Sequence, residues 1–126
     1  MGHVHARVRL AAQREEEVDM LVDTGATYSL ISPSLADRLG VVRFPRKTTV
    51  TAANGQRLEA ETGMVMIQIG HRSAPNVAII AACDELLLGV EALESLGLAV
   101  DPSSGTLHPT RAYTVRLGGL RSQSSI

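Results

Sequence analysis

Aromatic side chains are scarce in this chain of 126 residues, which has one Phe, two Tyr and no Trp. Its core must therefore be aliphatic, and deep aromatic-lined pockets are not expected. Cys83 is the single cysteine, which excludes an intrachain disulfide and any multi-cysteine metal site. Its neighbours Ile79-Ile80-Ala81-Ala82 make it read as an inert thiol in or near the core. A charge excess is missing too: twelve Lys and Arg stand against thirteen Asp and Glu, a net charge of −1. That gives no electrostatic argument for nucleic acid or an anionic membrane surface. No apolar run approaches the roughly 18 residues needed to span a membrane, and no continuous apolar segment of a secretory signal is visible near the start. The expectation is a soluble, cytoplasmic protein of about one domain, in a reducing compartment, without cofactor or metal.

What is present is the stretch Met20-Leu21-Val22-Asp23-Thr24-Gly25-Ala26-Thr27. Apolar residues run straight into an Asp-Thr-Gly triplet, which reads as a strand delivering one carboxylate to a tight turn. A carboxylate is costly to desolvate, so it needs donors around it or a chemical use. Gly25 lets backbone amides approach, and the hydroxyls of Thr24 and Thr27 can donate. The plain alternative is an Asx-type turn in which Asp23 only bonds local amides.

Period-two alternation over Val4–Leu10 predicts a half-buried strand. The polar Ala11–Glu17 predicts an exposed turn, and Val18–Val22 the returning strand. His3 and His5 are too few for a metal site. Leu30-Ile31 is a strand; Ser32-Pro33 is an N-cap with proline at the first helical position, and Gly40 a left-handed stop, so the helix should span 33–39. Thr48–Ala53 and Arg57–Thr62 flank Asn54-Gly55 and predict a polar hairpin standing off the body. Met64–Ile69 is apolar on both faces and reads as an interior strand, with Gly70–Ser73 a turn and Val77–Ala82 another strand. Leu86-Leu87-Leu88-Gly89 is an apolar strand ending in glycine, followed by a helix over 91–96 that Gly97 ends. Leu98–Val100 and Thr106–His108 form a last hairpin. Residues 1–111 should be a single domain, and 112–126 a C-terminal strand and tail that is a candidate for dimer formation and whose Ser-rich end should be disordered.

The triplet at 23–25, a polar hairpin tipped by Ala53-Asn54-Gly55, and Leu87-Leu88-Gly89 before a short helix follow one another in the order found in retropepsins. Over about residues 4–108 the chain resembles the retroviral-type, single-domain aspartic proteases. The resemblance implies a mainly β, closed barrel-like retropepsin (acid protease) fold with a flap hairpin and one or two short helices. It implies that Asp23 is the catalytic aspartate. Thr24, Gly25 and Ala26 would support it, with Thr24 bonding across to a partner chain; Leu87, Leu88 and Gly89 would pack beneath the loop. Ala53, Asn54 and Gly55 would be the substrate-contacting flap tip. The tip has one glycine where viral enzymes have several, and the helix at 33–39 replaces what is usually loop.

Peptide hydrolysis by this chemistry needs one group to activate water and another to protonate the amide. Two adjacent carboxylates do both, because they share one proton. Asp19, Asp37, Asp84 and Asp101 lack the apolar-Asp-Thr-Gly setting, so the second carboxylate must be Asp23 of another copy, related by a two-fold axis. The expected protein is a homodimeric aspartic endopeptidase acting on a peptide or protein substrate, with strand 4–10 and tail 112–117 as candidate dimer-base strands. The competing reading is a catalytically silent dimer that binds peptides or serves in assembly. A phosphoryl-transfer enzyme using Asp23 as nucleophile is disfavoured by the single lysine, Lys47, and the absence of Asp-x-Asp.

Overall fold

A computed structural model describes residues 3–52 and 54–110. Nine strands and two short helices follow in order: β1 (His5–Ala11), β2 (Glu15–Val22), β3 (Ser29–Ile31), α1 (Pro33–Leu39), β4 (Thr48–Thr51), β5 (Arg57–Ile69), β6 (Arg72–Ile80), β7 (Leu87–Leu88), α2 (Val90–Leu96), β8 (Leu98–Asp101) and β9 (Thr106–Pro109). The fold class expected from the sequence is the one found. Seven strands lie in the order β1-β2-β7-β3-β6-β5-β4, and an extra pairing of β1 with β5 nearly closes them into a ring. β4 hangs off β5 beyond that closure.

Alternation explains the ring. Val8 and Leu10 of β1 and Val18 and Met20 of β2 point inward and are buried, while Arg7, Arg9, Glu17 and Asp19, which alternate with them, face out. Ile31, Val65, Ile67, Ala78, Ile80 and Leu88 continue the same core from the other strands. Leu35 and Leu39 of α1 and Leu93 and Leu96 of α2 close it. Among the described residues no Phe or Tyr enters this core: Tyr28 and Phe44 are 40% and 42% exposed.

α1 spans the residues expected. The Ser32 hydroxyl accepts from the Leu35 amide at 3.2 Å, Pro33 begins the helix, and Gly40 ends it in the left-handed region at φ +74°. The Arg14 guanidinium donates to the carbonyls of Asp37 and Arg38 in the last turn, where carbonyls lack the usual i+4 amide.

Four expectations are corrected. Glu15–Glu17 belong to β2, not to a turn, because Arg9 across the ladder pairs with Glu15 at 2.8 Å and Glu17 at 3.5 Å. The segments 57–62 and 64–69 are one thirteen-residue strand, β5, running through Gly63. That strand is not apolar on both faces in the burial sense, since Met64 and Met66 are 46% and 42% exposed. Strand β6 begins at Arg72 instead of at Val77, its longer register fixed by β5 from Gln68↔Ser73 through Glu61↔Ile80.

β8 and β9 form a separate two-stranded sheet, with α2 packed on β8. β1 is spent on β2 along its whole length and on β5 over Arg9–Ala11, which limits what it could offer a partner chain. The segment 112–126 and the flap-tip residue Ala53 lie outside the described residues. Cys83 is partly buried; burial, with Asp84 nearby, raises its thiol above the ordinary range, consistent with an unreactive group. Among the described residues no helix is long and apolar enough to cross a membrane, and no three His, Cys, Asp or Glu side chains gather as a metal site requires.

Candidate active site

The Asp-Thr-Gly turn is where three strands meet. β2 ends at Val22, β7 pairs parallel to it through Leu21↔Leu87 and Val22↔Leu88, and β3 pairs antiparallel to β7 through Leu30↔Leu87. β7 therefore threads between the strand that enters the turn and the strand that leaves it. The Asp23 amide donates to the Leu88 carbonyl at 2.9 Å, and the Ala26 amide returns to the Asp23 carbonyl at 3.1 Å.

The carboxylate is partly exposed. Its Oδ1 accepts from the Gly25 amide at 2.9 Å. No partner for Oδ2 is found among the described residues, so one oxygen is fixed and the other has no hydrogen bond there. Such an arrangement orients the carboxylate.

The start of α2 grips the loop from behind. Helices leave their first amides without internal partners, and here the loop supplies them. Val90 donates to the Ala26 carbonyl at 2.8 Å and Glu91 to the Thr27 carbonyl at 2.9 Å. Gly89 donates to the Ser29 hydroxyl at 3.1 Å. A Cβ on Gly89 would lie 2.6 Å from the Tyr28 carbonyl carbon and 2.8 Å from the Thr27 oxygen, so only glycine fits between loop and helix. The structure thus brings Asp23, Gly25, Ala26, Leu87, Leu88 and Gly89 into one hydrogen-bonded unit.

Ser29 is the member that sequence reasoning missed. It is 2% exposed and bonds to a residue sixty positions away. A small polar residue directly ahead of the apolar pair Leu30-Ile31 was the available signal.

Two concavities open on either side of the turn. One, about 340 Å³, is lined by Gly25, Ala26, Thr27 and Tyr28 on the loop, Thr48–Thr51 on β4, and Ile79 on β6. The hairpin that carries β4 thus forms one wall, but Asn54 and Gly55 are not among the lining residues. They sit at the tip, where Gly55, at φ +85°, donates to the Ala52 carbonyl at 2.8 Å and the Asn54 side chain accepts from the Gln56 amide at 2.9 Å. The second, about 550 Å³, is lined by Thr24 and Val22 together with His3, Val4, Val100 and the β8–β9 turn. Thr24 is exposed there. Within that turn Asp101 accepts from the Ser103 hydroxyl and amide, bonds that hold its carboxyl below the ordinary aspartate range.

Comparison with solved structures gives the EIAV protease in complex with the inhibitor HBY-793, with a TM-score of 0.61 and 24% identity over 76% of this chain and 89% of that one. At that identity the likeness establishes the fold. No curated protein matches the chain. The family described as "gag-polyprotein putative aspartyl protease" matches residues 10–95, a span that carries the Asp23 turn, the hairpin and β7 alike, and the chain belongs to that retropepsin-like aspartyl protease family.

Proposed function

We propose that the protein is an aspartic endopeptidase that works as a two-fold homodimer, with Asp23 of each copy contributing one carboxylate. The observation that carries this reading is the geometry of the Asp23 turn: one carboxylate oxygen is held by the Gly25 amide, and Gly25 and Ala26 of the same turn line a groove walled by the hairpin. Thr24, Gly25 and Ala26, with Leu87, Leu88 and Gly89 behind them, support that carboxylate. Ala53, Asn54 and Gly55 are the part of the flap that would reach substrate as it closes.

Two Asp23 carboxylates sharing a proton hold a water between them. The ionised one takes a proton from the water as its oxygen attacks the scissile carbonyl. The protonated one hydrogen-bonds the carbonyl oxygen, and a proton is then passed to the leaving amide nitrogen. This chemistry is that of aspartic proteases in general. A peptide would lie extended along β4, bonded through its backbone as in strand addition. The cleft that Thr24 lines, next to the separate β8–β9 sheet, shares no lining residue with the peptide groove and supports the reading that a second copy packs there.

The test is cleavage of a mixed peptide library by wild type and by Asp23→Asn, from about pH 4 to 8, with oligomeric state measured by sedimentation. Cleavage by a wild-type dimer, lost in a still-dimeric Asp23→Asn protein, is the expected result. Activity should fall as pH rises and both carboxylates become charged, because the shared proton is then gone. Full activity at strongly alkaline pH, or a stable monomer that cuts, would sink the mechanism. Two folded dimers that both fail to cut but bind peptide would establish the silent-module alternative.

A further inference from the structure

We infer that the peptide groove continues past Ile79 as an apolar strip on the outer face of β5 and β6, which takes apolar side chains of an extended protein segment outside the cleaved stretch. The inference rests on the protease reading for the identity of the groove. Register carries it. Residues directly opposite each other in a ladder, and alternate residues along a strand, share a face. Ile79 lines the groove and stands opposite Thr62; Val77 stands opposite Met64, and Pro75 opposite Met66. All six therefore share one face, and the column Ile79–Val77–Pro75 leads directly out of the groove. A third row joins it, because Arg43 bridges to Gly63 and the Phe44 amide donates to the Thr62 carbonyl. That places Val42 and Phe44 on the same face.

The strip is exposed where a surface would ordinarily be polar: Val42 by 71%, Met64 by 46%, Met66 and Phe44 by 42%. Contiguous exposed apolar surface of this kind marks a binding face. Methionine suits it, since its flexible thioether adapts to varied side chains. No charged side chain lies in the columns Thr62–Met66 or Pro75–Ile79, so the face selects by apolarity. From Ile79 to Pro75 the strip runs four positions, about 13 Å of extended strand. A substrate must therefore continue by about four residues beyond the groove to use it, and the fitting substrate is a disordered, apolar-rich protein segment instead of a short peptide.

The test uses the library member bound most tightly by Asp23→Asn protein, extended at either end by four residues carrying Leu, or Ser, at alternate positions. Binding of the labelled peptides is read by fluorescence anisotropy. The Leu extension at one end should tighten binding about tenfold over Ser, the scale of one well-buried apolar side chain. The double variant Met64→Glu/Met66→Glu should abolish that difference and leave the unextended peptide unchanged. Equal binding of Leu and Ser extensions at both ends overturns the inference, as does an equal loss for extended and unextended peptides. So does a change in sedimentation of the double variant, which would assign the strip to contacts between copies. Because binding is read on Asp23→Asn protein, failure of the strip is distinct from failure of the protease reading, which is decided by wild-type cleavage.

Discussion

The loop that carries Asp23 and the hairpin that walls the groove are built on opposite terms. The loop is held from several sides at once, by β7 through Leu88, by the start of α2 through Gly89, Val90 and Glu91, and by the Ser29 hydroxyl. The hairpin has mostly its own ladder, Thr48↔Ala60 through Thr51↔Arg57, and both Arg57 and Leu58 are exposed. A two-stranded hairpin alone is marginal in water. Under the proposed function the difference would divide the labour: a carboxylate that meets a symmetry mate needs fixed geometry, whereas a wall that admits and releases peptide needs low local stability.

The sharpest way to break the braced side is Gly89→Ala. The added Cβ meets backbone, 2.6 Å from the Tyr28 carbon and 2.7 Å from its oxygen, and backbone cannot swing aside as a side-chain end can. Overpacking of this kind costs about 1–3 kcal/mol, and a clash with backbone belongs at the upper end of that range. Thermal unfolding should show a large fall in Tm, with peptide cleavage reduced by at least about a hundredfold. Unchanged Tm and activity would mean that loop and helix are looser than described.

Ser29→Ala is milder and more specific. It removes the acceptor for a buried amide, which costs about 1–3 kcal/mol, yet adds no bulk. Amide hydrogen exchange at Gly89 should accelerate, and kcat should fall more than KM rises, because Ser29 acts on the position of Asp23 and not on peptide contact. Ser29→Thr, which keeps the hydroxyl, should restore slow exchange. An equal loss in both parameters would reduce Ser29 to an ordinary packing residue.

Much of this was legible beforehand, and the gaps have a common physical cause. Ser32-Pro33 and Gly40 announce α1 because caps are local, and Val8, Leu10, Val18 and Met20 announce a strand pair because alternation is local. Asp23 stood out because an Asp-Thr-Gly triplet at the end of an apolar strand is unusual chemistry. Ser29 did not, since its partner is sixty residues away and a serine ahead of an apolar pair has many ordinary uses. Met64 and Met66 read as interior from the sequence because composition cannot tell which face of a strand lacks a covering layer. The glutamates at 15–17 read as a turn because the partners that hold them in a strand are remote, Arg9 of the strand before for Glu15 and Glu17 and Arg38 of α1 for Glu16.

Gly55→Ala sharpens the other side of the contrast, since it is the same substitution as at Gly89 in the hairpin. Nothing lies within 4 Å of a Cβ built there, so no clash arises. The penalty is conformational only, because Gly55 holds φ +85°, where a side chain costs about 1–2 kcal/mol. The hairpin has few contacts through which to spread that cost to the core, so Tm should move by a few degrees at most, while exchange of the Ala52 and Gly55 amides quickens. If the flap closes over substrate, KM should rise about two- to fivefold with kcat nearly unchanged, the reverse of the split expected for Ser29→Ala. Loss of kcat at constant KM would instead mean that the tip joins the chemical step, and the division of labour between loop and hairpin would fail.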